Sequence, residues 1–433
     1  MNESLDQKIR HRNAVARAHS QVSRGQATML MVKEGPVYSG RALEIGRIAV
    51  VNLLLTFLTV GIYRFWAKTR MRRYFVSRVS FLNDPLEYSG TGMELFIGFL
   101  IIMAVLVPFF AGVGALQGFL MQPGKDPLSA IVFQLGYLLA IYFLYNVAVY
   151  RAQRYRLSRI SWRGIRGGQE GSAMLYAVIA IGLGFASMIT FGLAYPVMRR
   201  ILVGYRINRA CIGAKRLQFS GGMGKLIAAW FVPWLLGLAV LGAIGYIVAT
   251  AAIAAGGENA DPKLIVDGLP SIWRRYRYMV LPLVIAFPFA FIWYRAIEMR
   301  QWMNGTTFDQ LEFTSRLNVF HIILPYTVYL ILLFATIGAA MFGLAGVVKL
   351  TISGASHALP FGMPEFMVVG AVIGAWLVTG LLTPVILQNW LINNICRTLT
   401  IQGRFSPDAL FQNQLAIPRS GEGLADAFDI DAF

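Results

Sequence analysis

Eight apolar stretches alternate with polar connectors along the chain. They occupy residues 43–63, 93–116, 128–149, 173–198, 226–256, 278–297, 319–349 and 366–393. A helix needs about 20 mainly apolar residues to cross the hydrocarbon core of a bilayer, and every stretch reaches about that length. Hydrophobic residues make up 57% of the chain and charged residues 14%, which lies outside the range of soluble proteins. The pattern predicts an all-α polytopic membrane protein.

A signature of about thirty residues occurs twice, at 58–90 and 189–221, and its copies start 131 positions apart. Tyr74 falls on Tyr205, and Gly90 falls on Gly221. Weaker copies follow at 155–166, 294–315 and 391–406. The sequence therefore predicts internal repeats with a period of 131 residues.

Each connector begins with a basic stretch, continues with a short extended piece and ends in a Ser-Gly turn before the next helix. Aromatic side chains in such connectors are typical anchors at the membrane surface, and glycine permits the sharp turn that follows. The residues predicted to anchor this motif are Tyr63, Trp66, Tyr74, Tyr88, Gly90, Tyr205, Phe219 and Gly221.

Three connectors, 64–90, 151–172 and 199–225, are strongly basic, which favours the cytoplasmic side for all three. Only the stretch 173–198 separates the second from the third, so a single crossing there would export seven Lys and Arg residues. We therefore expect this stretch and its repeat partner, 43–66, to turn back. The turns are predicted at Thr59, Gly61, Thr190 and Gly192.

Two topologies follow from this charge pattern. The first has six full transmembrane helices plus two re-entrant or interfacial hairpins, with both termini in the cytoplasm. The alternative has eight plain transmembrane helices and leaves one basic connector outside. Both divide the chain into a polar basic tail (1–35), a repeated helical membrane domain (36–403) and an acidic tail expected to be disordered (404–433).

The first copy of the motif resembles the YjgN-like family of bacterial inner-membrane proteins. The resemblance rests on Tyr38-Ser39-Gly40, on Asn52 and on the segments LLLTFLTVGIYRFWAKTRMRRY (53–74) and LEYSGTGMEL (86–95). The chain departs from the family pattern at SRVS (77–80), where the family often has an Asn-Thr pair. The resemblance implies a multi-pass protein of the bacterial inner membrane, and it implies no activity.

No catalytic, cofactor or metal motif is present in the sequence. The four histidines are scattered, and neither HExxH nor paired CxxC spacing occurs. Phosphate-binding loops and the GxSxG nucleophile motif are also missing. The two cysteines lie in separate connectors, which does not suggest a disulfide framework. We expect no cofactor and no metal.

The leading functional hypothesis is a non-enzymatic membrane protein whose basic cytoplasmic rim interacts with anionic lipid. The net charge of +18 is concentrated in connectors beside membrane segments, so we expect membrane lipids and not nucleic acid as partners. The predicted rim consists of Arg70, Arg72, Arg73, Arg156, Arg159, Arg206 and Arg209. The first alternative is a passive channel or facilitator for a small solute, and the second is an intramembrane enzyme. The oligomeric state, including a homo-oligomer, is left open.

Overall fold

The computed structural model describes residues 30–120, 122, 126–257, 262–352, 370, 374, 377–407, 410–413 and 415. Pairs of helices alternate along the chain with short β-hairpins. The helices are α1 (Ala42–Leu58), α2 (Arg64–Ser77), α3 (Gly92–Leu120), α4 (Pro127–Arg159), α5 (Ala173–Ile189), α6 (Tyr195–Ile207), α7 (Gly224–Ala254), α8 (Pro262–Asn304), α9 (Phe320–Ile352) and α10 (Asn389–Thr398). A π-helical turn, Thr383–Gln388, leads into α10.

The strands are β1 (Leu30–Glu34), β2 (Val37–Tyr38), β3 (Val79–Phe81), β4 (Asp84–Tyr88), β5 (Ile160–Trp162), β6 (Ile165–Gln169), β7 (Ala210–Ile212), β8 (Lys215–Phe219), β9 (Thr306–Phe308), β10 (Leu311–Ser315) and β11 (Leu399–Phe405). They form one sheet in the order β1-β11-β10-β9-β8-β7-β6-β5-β4-β3-β2. Every pairing within it is antiparallel.

The sheet closes on itself. Its two outermost strands, β1 and β2, are consecutive in the chain and are separated only by Gly35 and Pro36. Three virtual Cα–Cα bonds join Glu34 to Val37, so the two edges of the sheet lie within about 11 Å of each other. We call the closed sheet the ring. The link through Gly35 and Pro36 thus joins the two edges of the sheet covalently.

One hydrogen bond recurs five times around the ring. In each case the backbone N–H that follows one strand donates to the carbonyl that precedes the first strand of the neighbouring segment, at 2.8 to 2.9 Å. The five pairs are Ser39 to Arg78, Ser89 to Arg159, Glu170 to Arg209, Ser220 to Gly305 and Arg316 to Thr398. The described chain thus contains five units. Four are a helix pair with its hairpin, and the fifth is α9 and α10 with β11, completed by β1 and β2.

Apolar side chains fill the inside of the ring. A buried cluster is formed by Val32, Trp162, Phe308, Leu311, Ile401, Phe405 and Leu410. Partly buried residues from the first three hairpins, including Phe81, Ile165 and Ile212, pack against it. The described members of this cluster come from strands all around the sheet, so they pack together inside the ring.

Five of the described helices are long and apolar enough to cross a membrane: Gly92–Leu120, Leu128–Arg159, Gly224–Ala254, Pro270–Asn304 and Phe320–Ala339. At most 17% of the most apolar window of each is buried within the protein, so these surfaces are available to lipid. The chain is therefore a largely helical, polytopic membrane protein. Within the predicted span at 366–393, residues 366–369, 371–373 and 375–376 lie outside the described residues.

The chain turns sharply after α1 and after α5, and both turns have the same construction. Val60 and Gly61 have φ angles of 50° and 88°, and Phe191 and Gly192 have 49° and 87°. The Thr59 hydroxyl donates to the Leu55 carbonyl at 2.7 Å and accepts from the Tyr63 N–H at 2.9 Å. Thr190 makes the same two bonds in its own turn, with Ala186 and Ala194. Glycine occupies the second left-handed position of each turn, where φ approaches 90° and a side chain would be strained.

The observed fold differs from the prediction in its connectors. An all-α chain was expected, but the extended pieces pair into an eleven-stranded sheet. The sheet also moves the domain boundaries. Leu30–Glu34 lies within the predicted N-terminal tail, yet it pairs with β11. Phe405 and Leu410 lie within the predicted disordered tail and are buried. Both ends of the chain contribute because together they close the ring.

Candidate anion-binding site

A cavity of about 820 Å³ lies between the helices, directly above the ring. Phe75, Arg156, Arg206 and Trp302 all line it. Each of these four residues stands four positions before the first strand of its own hairpin, in four different units. Because equivalent positions of successive units face one cavity, the cavity lies on the axis of the ring. Leu86 contacts both the cavity and the apolar cluster, so that cluster closes the cavity on the sheet side.

The cavity is strongly cationic. Lys68 and Arg72 from α2, Arg156 from α4 and Arg206 from α6 line it, and Arg64 lies at the start of α2. Among the described lining residues there is no Asp, Glu, His or Cys. Charges in a partly buried site are screened less than they are at an open surface. The described part of the cavity wall therefore carries more basic than acidic side chains.

Several buried polar atoms of the cavity wall have no hydrogen-bond partner in the described protein. They are Asn52 Oδ1, Gln153 Oε1, Arg206 Nε and Trp302 Nε1. An unsatisfied buried polar group costs about 1–3 kcal/mol. Four such atoms around one cavity indicate a site that is built for a polar occupant.

A buried ion cluster holds Trp302 in the cavity wall. Arg199 and Arg295 lie against the indole ring, at 4.9 Å and 5.3 Å from its centre. Both arginines pair with Glu298, which has no exposed side-chain surface, and Arg199 Nε lies 3.0 Å from its Oε1. Glu298 is thus committed to this cluster and does not line the cavity. The sequence pattern did not single it out, because it lies near a helix end.

In each of the first two units, a tyrosine and the arginine four residues after it hold the start of the first helix of that unit. Glu44 accepts the Tyr74 hydroxyl at 2.9 Å and lies 2.6 Å from Arg78 Nη2. In the next unit, Glu94 accepts the Tyr155 hydroxyl at 2.6 Å and lies 2.9 Å from Arg159 Nη2.

The third unit keeps the tyrosine and the arginine and replaces the carboxylate with backbone. The Tyr205 hydroxyl donates to the Ser172 carbonyl at 3.0 Å, and the Arg209 guanidinium lies 3.8 Å from the centre of the Tyr205 ring. Tyr74, Tyr205, Arg159 and Arg209 therefore serve the structure of their units.

The Ser-Gly turns are shaped by the aromatic residue that precedes them. The ring of Tyr88 lies over Gly90, where an added Cβ would meet it at 2.6 Å, and Phe219 covers Gly221 at 2.5 Å in the same way. Tyr88 is buried and lines the cavity, so it does not lie on an outer surface. Arg73 Nη2 donates to the Gly90 carbonyl at 3.2 Å and thereby fixes the turn.

The two remaining motif residues of the first copy lie beside the same turn. Tyr63 stacks on Trp66, with ring centres 6.3 Å apart. Trp66 packs against Phe96 and against Gly92, where a Cβ would lie 2.6 Å from the indole. Together they join α2 to the start of α3.

The seven arginines of the predicted rim therefore separate into three groups. Arg72, Arg156 and Arg206 line the cavity. Arg70 and Arg73 are exposed on α2, and Arg159 and Arg209 hold tyrosines. Lys68, Asn52, Gln153 and Trp302, which no predicted site contained, complete the cavity wall. The position four residues before each first strand of a hairpin identifies one inward-facing residue in each of the first four units.

Both cysteines are buried, Cys211 in β7 and Cys396 in α10. Burial raises the pKa of both thiols, that of Cys396 to about 11. We expect alkylation of Cys396 at pH 7.5 to be roughly a hundred-fold slower in the folded protein than after unfolding, because only the thiolate reacts. Timed maleimide labelling with and without denaturant measures this ratio, and equal rates would contradict the burial. In the described ranges no group of three His, Cys, Asp or Glu side chains could hold a metal ion.

The sequence is similar to a known family of bacterial proteins and to two inner membrane proteins. The family described as bacterial protein of unknown function (DUF898) matches residues 35–427. Inner membrane protein YjgN of Salmonella typhimurium is 25% identical over 263 residues, which are 59% of this chain and 57% of that protein. Inner membrane protein YjgN of Escherichia coli is 30% identical over 204 residues, or 45% of this chain and 48% of that protein.

The matched region spans about half the length of these curated relatives, 57% and 48%. No solved structure gives a significant match. The family match covers most of the chain, including four of the five units in full and β2, β11 and both helices of the fifth. The chain belongs to the YjgN-like DUF898 family of bacterial membrane proteins of unknown function.

Proposed function

We propose that this chain is a non-enzymatic protein of the bacterial inner membrane that binds anionic lipid headgroups in the axial cavity, on the cytoplasmic side. The observation that carries the proposal is the convergence of Lys68, Arg72, Arg156 and Arg206 on one cavity whose described lining contains no acid. Guanidinium groups match the geometry of phosphate oxygens and bind them with two parallel hydrogen bonds. Each cation beside an anionic membrane surface contributes about 1 kcal/mol.

The proposed orientation places the ring in the cytoplasm together with both termini. The basic connectors all end in the ring, which agrees with the bias of positive charge toward that side. The pairs α1–α2 and α5–α6 leave the ring and return to it through apolar, exposed turns, with Val60 92% and Phe191 79% exposed. Such surfaces suit lipid contact, so both pairs are proposed as re-entrant hairpins, beside six full spans.

The 131-residue repeat can be compared with the lengths of the helices in each unit. The first and third units both contain short helix pairs, of 17 and 14 residues and of 17 and 13 residues. The second and fourth contain long pairs, of 29 and 33 residues and of 31 and 43 residues. We infer that the repeat detected in the sequence relates the two short units within a ring of five.

Contacts in the structure favour a binding site over a passive channel or facilitator. If the two predicted turns formed a constriction, Thr59 and Thr190 would line it, but their hydroxyls are used within their own turns. The apolar cluster inside the ring closes the cavity on the sheet side. The enzyme alternative gains nothing from the cavity, because its described lining offers no carboxylate, imidazole or thiol for acid–base or nucleophilic catalysis.

The proposal is tested by the lipid that copurifies with the protein. The double variant Arg156→Gln/Arg206→Gln is expected to retain at least ~10-fold less anionic lipid, because it removes two contacts worth about 1 kcal/mol each. Arg70→Gln/Arg151→Gln removes two exposed arginines, from α2 and α4, that do not line the cavity, and should leave the lipid content unchanged. Mass spectrometry of extracted lipid makes the comparison. Equal lipid content in the two double variants would refute the proposed function.

A further inference from the structure

Asn52 in α1 has an amide whose orientation is fixed by the backbone. Its Nδ2 donates to the Ala67 carbonyl at 3.3 Å. The reverse orientation would bring two oxygens together, so Oδ1 must point away from this carbonyl. Asn52 is only 6% exposed, it lines the cavity, and its Oδ1 has no partner in the described protein. A buried acceptor of this kind requires a donor.

The cavity wall therefore makes two different demands on a ligand. Arg206 Nε and Trp302 Nε1 are donors without partners and require acceptor oxygens, as an anion supplies. Asn52 Oδ1 is an acceptor, and an anion without hydrogen-bond donors cannot satisfy it. Gln153 adds a second amide on α4, with Oε1 also unsatisfied. A ligand that meets both demands carries negatively charged oxygens and hydroxyl groups.

We infer that the cavity is selective for a phosphate ester that bears hydroxyl groups, and that Asn52 reads the hydroxyl. The phosphate lies toward Arg156 and Arg206, and the hydroxyl donates to Asn52 Oδ1. This inference rests on the proposed function, since it specifies which anionic headgroup the cavity takes. Phosphatidylglycerol has this chemistry as a lipid, and glycerol phosphate has it as a soluble ester.

A matched pair of lipids isolates the hydroxyl. Phosphatidylglycerol and phosphatidylmethanol carry the same phosphodiester charge, but only the first has headgroup hydroxyls. We expect the full-length protein in neutral nanodiscs to bind phosphatidylglycerol about five-fold more tightly, which corresponds to one hydrogen bond. Equal affinity of the unmodified protein for the two lipids would overturn the inference without any variant.

Variants then assign the selectivity to a residue. Asn52→Leu should abolish the preference by weakening phosphatidylglycerol binding alone. Thr56→Val is the matched control, because Thr56 also lines the cavity one turn away while its hydroxyl already donates to the Asn52 carbonyl at 2.7 Å. That variant should keep the five-fold preference. Equal weakening of both lipids by Asn52→Leu would show that Asn52 supports the fold and does not read the headgroup.

Two further experiments distinguish a lipid ligand from a soluble one, and the headgroup inference from the proposed function. Millimolar glycerol phosphate should not displace phosphatidylglycerol, because the cavity is also lined by apolar side chains; complete displacement would overturn the lipid as the source. Loss of lipid in Arg156→Gln/Arg206→Gln together with no headgroup preference would refute this inference and leave the proposed function standing. Retention of lipid in that double variant would refute the proposed function itself.

Discussion

Glu298→Gln is expected to lower the free energy of unfolding by about 3 kcal/mol. The carboxylate is fully buried and pairs with both Arg199 and Arg295. Removing one partner of a buried ion pair costs about 3–5 kcal/mol, because the remaining charges stay buried without compensation. We take the lower end, since 22% of the Arg199 side chain and 31% of the Arg295 side chain are exposed to solvent screening.

Unfolding in a mild detergent, followed by tryptophan fluorescence, measures this loss. The signal is suitable because the Trp302 indole contacts both arginines of the cluster. Glu312→Gln is the control: Glu312 is exposed on β10, and an exposed charge changes stability by no more than about 0.5 kcal/mol. If the two variants are equally stable, the buried cluster does not stabilise the fold as described.

Gly305→Ala is the second change with a large expected effect, again about 3 kcal/mol of stability. Gly305 precedes β9, and an added Cβ would lie 2.6 Å from Gly221 Cα and 2.7 Å from Gly221 N. These are backbone atoms of the neighbouring unit, so a rotamer change cannot relieve the clash. The Gly305 carbonyl also accepts the Ser220 N–H at 2.8 Å, one of the five bonds that join the units.

A control for this variant lies in the turn that Gly305 contacts. Gly222 follows Gly221 directly, and a Cβ added there would meet nothing within 4 Å. The free energy of unfolding of Gly222→Ala should therefore lie within about 0.5 kcal/mol of that of the parent protein. Thermal unfolding of the two variants side by side compares their stabilities. It distinguishes a clash at the junction between units from a general loss of stability caused by replacing glycine with alanine. Equal stability would mean that the third and fourth units are not packed this closely.

The membrane segments could be predicted from the sequence because the bilayer imposes a simple rule on length and polarity. At Gly61 and Gly192, where the sequence predicts turns, the backbone is left-handed, a conformation that glycine adopts without strain. The ring could not be predicted. Its strands have two to seven residues, and Leu30 pairs with Phe405 at the opposite end of the sequence. No local pattern specifies such a pairing.

The cavity was missed for a different physical reason. Arg72 and Arg73 are neighbours in the sequence, yet one lines the cavity and the other caps the Gly90 turn. A helix advances by about 100° per residue, so adjacent arginines serve different faces. A single rim of seven arginines takes no account of the helix face on which each arginine lies. The relevant signal, a fixed distance from the following strand, becomes readable only when the hairpins are known.

The central claim is that every unit returns to one cytoplasmic ring. In a cysteine-free variant, single cysteines at Glu87, Arg163, Ala214 and Glu312 place a label in the first four hairpins, and Gln122 and Ala254 report the opposite ends of long helices. With an impermeant maleimide on intact cells, we predict labelling at 122 and 254 alone, and labelling of the hairpin positions only after the inner membrane is opened. Labelling of position 214 in intact cells while 163 stays protected would contradict the account, because α5 and α6 would then cross the membrane.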